Sequence, residues 1–256
     1  MGESKSLSKI HVDANDIVAW SAKLPTVHVN REKYLRAQFD KYCDDALLER
    51  VIELGPIKAG IPTRTVNLIA KSAINHETAM VTLISTAAGI PGGVFMWGTV
   101  PGDIAQFHGA MIRISQKLAY IHGWPELFED NGDNIDDDTR GVLLTFLGVM
   151  YGVAGAAGAM EKIGMHFAEV AIKKLPQKAL TQGVVYPIVK RIAKAMSLKM
   201  TKQIFAGGIG KAIPVLGGVL SGAITWASFL PMSNRLNSHL IKRNRAKKRA
   251  VAKALN

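Results

Sequence analysis

Residues 93–111 read GVFMWGTVPGDIAQFHGAM, an almost wholly apolar run with a single carboxylate, Asp103, just after Val100-Pro101-Gly102. An uninterrupted apolar run of this length suits a buried or membrane helix. Proline and glycine break such a helix rather than continue it. The reading that fits both facts is a hairpin. One apolar helix ends before the break, and a second opens near Pro101 with Asp103 in its first turn. A carboxylate there meets free backbone amides and the positive end of the helix dipole, worth about 0.3–1 kcal/mol.

Working outward, Pro62 to about Ala88 predicts the first arm of this hairpin, stopped by GIPGG at 89–93. The second arm runs from Pro101 to His122, with Gly123 as the left-handed stop and Pro125 preventing continuation. Upstream, Asn30 caps a long helix predicted over Arg31–Leu54. Its apolar face is Tyr34, Leu35, Phe39, Tyr42, Ala46, Leu47 and Val51, and Gly55-Pro56 ends it. Before it lies an N-terminal arm, 1–29, with one short helix near Asn15–Ala22. Downstream, FEDNGDNIDDD (128–138) is an acidic loop whose last aspartates cap the next helix.

That helix carries GVLLTFLGVMYGVAGAAGAM, residues 141–160, without a charge. Its length matches a bilayer crossing of about 30 Å. Its Gly/Ala content suits a tightly packed core helix or hairpin equally well, with Gly148 and Gly152 letting another helix come close. A helix over Lys162–Leu175 follows. Pro187 then opens a basic amphipathic helix with the stripe Ile188, Val189, Ile192, Met196, Met200 and Ile204. A third apolar stretch, 206–232, offers Gly218 and Gly222 for close approach. Residues 239–256 hold seven Lys/Arg and no acid. The expected organisation is therefore an arm (1–29), a helical domain (30–238) and a basic C-terminal helix or tail (239–256). The fold class is all-α: a helical bundle with Gly/Pro-broken apolar hairpins.

With 48% hydrophobic residues, 20% charged residues and a net charge of +12, the chain favours acidic partners: anionic lipid, nucleic acid or an acidic protein face. Cys43 is the only cysteine, so no intramolecular disulfide forms, which fits a reducing compartment. No secretory h-region opens the chain. Gly2 and Ser6 fit the loose N-myristoylation pattern.

No cofactor or metal signature survives inspection. GGIGKA (207–212) lacks the first glycine and the hydroxyl of a phosphate loop, and His76-Glu77 lacks the second histidine of a zinc protease helix. The acidic loop lacks EF-hand spacing, and there is no Gly-x-Ser-x-Gly elbow. The candidate chemistry is Asp103, beside His108 or Arg113, as a buried acid in a pocket; the alternative role of Asp103 is to tie down the turn. Membrane or partner contact is expected from Trp226, Phe229, Lys242, Arg243, Arg245, Lys247, Lys248 and Arg249, since cations after an apolar, aromatic stretch suit an anionic interface. The basic tail has no aromatic side chain to stack on a base, which disfavours single-stranded nucleic acid.

Pro-x-Asp-Ile in VPGDI (100–104), then Arg113 and KLAYIHG (117–123), an acidic loop with a Gly/Ala-rich helix (136–160), and AIPVLGGVLSGAIT (212–225) resemble the EcsC family in order and spacing. Thr225-Trp226 departs from the family's Asn-Ala. The resemblance covers about 60–245 and implies an α-helical, mostly bacterial protein in a membrane context, without implying an activity. The expected function is a non-enzymatic, membrane-associated protein at the inner face of the membrane, with a membrane surface or membrane protein as partner and oligomers possible. The alternatives are an enzyme on an apolar substrate, using Asp103, and a soluble helical scaffold.

Overall fold

The computed structural model describes residues 13–88 (23 and 25 excepted), 100–128, 136–169, 187–198 and 217–254. Among them every regular element is helical, and the protein is an all-α bundle. The helices are α1 (Ala14–Ala22), α2 (Arg31–Phe39), α3 (Asp45–Leu54), α4 (Thr63–Ala88), α5 (Val100–Ile121), α6 (Asp137–Met150), α7 (Ala156–Glu169), α8 (187–198) and α9 (Gly217–Ala254).

The centre is α5. From His108 to His122 only Arg113 and Lys117 reach solvent even partly. The helix packs against α1, α2, α4, α6 and α9. Glu77, midway along α4, meets Arg113 and Lys117 beyond the midpoint of α5, so α4 and α5 form the antiparallel hairpin that the Pro-Gly break implies. The connecting residues 89–99 lie outside the described residues. Along α9, Gly222 meets Thr82 and Thr86, Phe229 meets Phe107, and Asn237 and Asn244 meet His122. Thus α9 runs with α5 and against α4.

Caps follow the sequence closely. The Asn30 side chain accepts from Lys33 N at 2.8 Å, and that of Asp136 from Thr139 N at 2.6 Å. Gly123, at φ +81°, closes α5 with paired bonds, Trp124 N to Ala119 O and Gly123 N to Tyr120 O. This Schellman geometry needs a left-handed residue, which glycine adopts without a Cβ penalty.

Two helix expectations are corrected, and of the readings open for 141–160 the hairpin holds. The predicted helix over 31–54 is two helices. Cys43 and Asp44 are extended, and the Asp44 carboxylate accepts from Leu47 N at 2.8 Å. A short acidic side chain that captures a downstream amide starts a new helix in place of continuing the old one. Residues 141–160 are likewise not one rod. Gly152 (φ +63°) and Gly155 (φ +85°) turn the chain between α6 and α7, again through a Schellman pair ending in Val153 N to Gly148 O at 2.8 Å. The stretch is a buried hairpin, and α6 is buried from Val142 to Met150. Consequently α7 begins at Ala156, ahead of the expected Lys162; residues 170–175 lie outside the described residues. Among the described residues no helix is long and apolar enough to cross a membrane.

The expected boundaries also meet continuous structure. Ile17, Val18 and Ala22 of α1 are buried, and Ser197 of α8 accepts from Ala14 N at 2.9 Å, satisfying a free first-turn amide. At the other end α9 passes through 238–239 without interruption. In α8, Ile192 and Met196 are buried as the stripe predicts, with Lys190, Arg191 and Lys194 outward; Met200 and Ile204 lie outside the described residues.

Gly148 does what the small-residue spacing implies: a Cβ there would sit 2.5 Å from Ile192 Cγ2 and 3.2 Å from Ala156 Cβ. Gly152 serves the turn instead. Gly148→Leu should therefore destabilise the protein by about 1–3 kcal/mol through overpacking. Gly158→Ala, on a helix position with nothing within 4 Å, should stabilise it by up to about 1 kcal/mol. Urea unfolding midpoints of the two variants should move in opposite directions.

Candidate functional site

A buried helix that carries polar side chains must find them partners. On α5 this produces polar clusters around Arg113 and Lys117, around His108, around His122, and around Tyr120, whose hydroxyl donates to Glu126.

The first lies between α4 and α5. The Glu77 side chain is 3% exposed; Oε2 accepts from Arg113 Nε at 2.8 Å and Oε1 from Lys117 Nζ. Arg113 Nη1 also donates to Thr26 O at 3.0 Å. One turn along, Gln116 accepts from Val29 N and donates to Val27 O, pinning the segment before α2 onto α5. Tyr34 of α2 lies under the Lys117 ammonium, 5.6 Å from nitrogen to ring centroid. Burial, with Glu77 nearby, pushes the Tyr34 phenol well above its ordinary range. Each oxygen of the Glu77 carboxylate thus accepts from one of the two cations of α5, which ties α4 to α5.

The second cluster is a pair. His108 Nε2 lies 2.7 Å from Tyr151 Oη, with both residues in the core. Burial raises the Tyr151 phenol far above its usual value. The hydroxyl thus stays protonated and His108 sits in the interior, away from solvent.

The third surrounds His122 at the end of α5. His122 Nε2–H donates to Asn237 Oδ1 at 2.8 Å, and Nδ1 accepts from Asn244 Nδ2 at 2.9 Å. Those partners suit the neutral ring. Burial, assisted by the neighbouring Arg243 charge, lowers the His122 pKa to about 4, against the Asn237 hydrogen bond that favours the cation. The Arg243 guanidinium lies 4.8 Å from the Trp124 ring centroid and donates to Gly164 O at 2.6 Å. Burial lowers its pKa to about 10. Gly164 is bare so that this side chain can lie flat; a Cβ would strike it.

These positions correct several expectations. Arg243 is half-buried and engaged by Gly164 and Trp124, and Phe229 is fully buried against Phe107. Sequence spacing alone does not say that α9 turns these two inward. Trp226, Lys242 and Arg245 are exposed as expected. The side chains of Lys247, Lys248 and Arg249 lie outside the described residues. Asp103 is on the first turns of α5, its side chain also outside the described residues. Arg113 is ten residues further on, about 15 Å along the axis, so α5 does not bring the two together as a direct pair. Gly222 makes the expected close approach, to α4; Gly218 lies on α9, its surroundings outside the described residues. Glu77 was set aside as half of a zinc motif. Its signal is that it is the only charged residue between positions 72 and 88.

That last fact marks a surface as well. Residues 217–234 of α9 contain no charge at all. Where the end of α4 meets the start of α9, Leu83 (63% exposed), Met80, Ile224 and Trp226 (53%) stand in solvent. The connecting run 89–99 is uncharged too. Among the described residues no group of three or more His, Cys, Asp or Glu could hold a metal ion. In comparisons with family models, curated proteins and solved structures, nothing matches this chain.

Two outcomes follow from the clusters. Glu77→Gln removes the charge that compensates Arg113 and Lys117, and should cost about 3 kcal/mol in chemical unfolding. For His122 the folded protein binds fewer protons than the unfolded chain between its unfolded value near 6.5 and its folded value of about 4. Stability is therefore full above that window and falls as pH drops through it, by about 3 kcal/mol in all. Unfolding at stepped pH should show this slope, and His122→Gln should flatten it.

Proposed function

We propose that the protein is a non-enzymatic, peripherally membrane-associated helical protein that rests on a bilayer through the uncharged end of its α4–α9 pair. The observation that carries this reading is the coincidence, at one end of the bundle, of exposed Met80, Leu83, Ile224 and Trp226 with the absence of any exposed charge over residues 72–88 and 217–234. Burying such side chains in the acyl–headgroup boundary is favourable by about 1.5–3 kcal/mol for a fully buried Leu or similar residue. Trp suits this zone in particular, having an apolar ring with one polar edge.

The inner face of a membrane fits a chain with a free thiol at Cys43 and a charge of +12, because that leaflet is anionic. Kinship with the EcsC family belongs to the same proposal, carried by VPGDI, Arg113, KLAYIHG and AIPVLGGVLSGAIT in their order along the chain. The enzymatic alternative draws no support from the geometry, in which Arg113 is held by Glu77 and Thr26 and His108 by Tyr151. The scaffold alternative draws on one finding, the burial of α6 from Val142 to Met150, and does not account for the exposed apolar side chains of α4 and α9.

Flotation with phosphatidylcholine vesicles tests the reading. The wild-type protein should float, and Leu83→Asp/Trp226→Asp should remain at the bottom with an unchanged melting temperature, because both side chains are exposed. Equal recovery of the two proteins would overturn it.

A further inference from the structure

We propose that α9 lies at a shallow angle on the bilayer and that its outer face, ending in Lys242 and Arg245, selects anionic phospholipid; this rests on the docking reading above.

The face is defined by exposure. Ile224, Ala227, Pro231, Ser238, Lys242 and Arg245 recur at helical spacing and are all exposed, a strip about 32 Å long. Its two halves differ in chemistry. The first is uncharged and apolar. The second carries cations, and the whole of α9 contains no Asp or Glu to oppose them. Cations without counter-charges complement an anionic surface. The neighbouring arginines are already engaged: Arg243 by Gly164 and Trp124, Arg235 by the Met150 carbonyl. Arg235 is exposed on the same face but held by the Met150 carbonyl, so among the described side chains Lys242 and Arg245 are the strip's exposed cations not engaged in this way, and by sequence Arg249 and Lys253 extend the same i, i+3, i+7, i+11 spacing.

The tilt follows from lengths. Ile224 and Lys242, both on this strip, are about 27 Å apart along the axis. An apolar helix end settles about 5–10 Å into the headgroup–acyl boundary. A helix standing upright would hold its cations well beyond the Debye length of about 8 Å. A helix tilted by roughly 20° places the apolar end in that boundary and the cations at the phosphates. Pro231 limits the depth. It has no N–H, so the Ala227 carbonyl one turn earlier lacks its helical donor, and hydrocarbon would leave that oxygen unsatisfied. The helix thus stays at headgroup level, where water reaches it.

Two measurements on the full chain test this. Partitioning is compared on vesicles of phosphatidylcholine alone and of phosphatidylcholine with phosphatidylserine. Wild type should prefer the anionic vesicles, and Lys242→Gln/Arg245→Gln should lower binding to them about tenfold or more while leaving neutral vesicles unchanged. In a Cys43→Ser background, an environment-sensitive fluorophore at Ala227→Cys or Ser238→Cys should report a drier setting on binding at both positions. A response at 227 alone, or equal binding of the Gln variant to both vesicles, overturns the proposal. If the Leu83→Asp/Trp226→Asp variant fails to bind but the Gln variant binds anionic vesicles as wild type does, docking stands and the lipid-selecting face falls. If wild type binds neither vesicle, both fall. Salt-sensitive retention of wild type on double-stranded DNA, lost in the Gln variant whose vesicle binding is normal, would assign the face to nucleic acid.

Discussion

A helix enclosed on every side cannot leave a polar group unanswered, and the rest of this structure is arranged around that constraint on α5. Glu77 answers Arg113 and Lys117. Residues 26–29 answer Arg113 and Gln116 with backbone groups. Asn237 and Asn244 answer His122, and Tyr151 answers His108. Each answer comes from a different element, so the polar side chains of α5 fix which helices surround it and in what register. Apolar burial supplies most of the driving force but has no direction; these bonds supply the direction. The same bonds hold Arg113 on Glu77, His108 on Tyr151 and His122 between two asparagines.

Much of this was legible in the sequence, for reasons that are local. Asn30, Asp136 and Gly123 act through atoms within a few residues of themselves, and caps of that kind can be read from spacing. The start of α5 beside Pro101 was legible for the same reason, since proline acts on the backbone where it stands. What could not be read was tertiary choice. Asp44 breaks a helix whose apolar period runs on through it. Arg243 looks like its basic neighbours until Trp124 and the bare backbone of Gly164 draw it inward. Phe229 and Trp226 are both aromatic residues in one apolar stretch, yet one fills the core and the other faces water. Glu77 gains its meaning only when Arg113 and Lys117, a turn apart on another helix, are placed opposite it.

Glycine gives the apolar stretches their character. Residues 141–160 are greasy enough to suggest a membrane span, but Gly152 and Gly155 fold them back and Gly148 admits α8. The apolar surface is consumed inside the protein. Where that folding back stops, at the joined ends of α4 and α9, apolar side chains remain outside without charges among them. Among the described residues, Met80, Leu83, Ile224 and Trp226 are thus exposed near one end, and Lys242 and Arg245 toward the other end of α9.

The central claim is that α5 is the enclosed hub through which the bundle is held. Native-state hydrogen exchange measures this most directly. The amides of residues 108–121 should exchange only through global unfolding, with protection equal to the full stability and a denaturant dependence to match. Exchange of those amides through a low-energy local opening, while α6 or α9 stayed protected, would contradict the account.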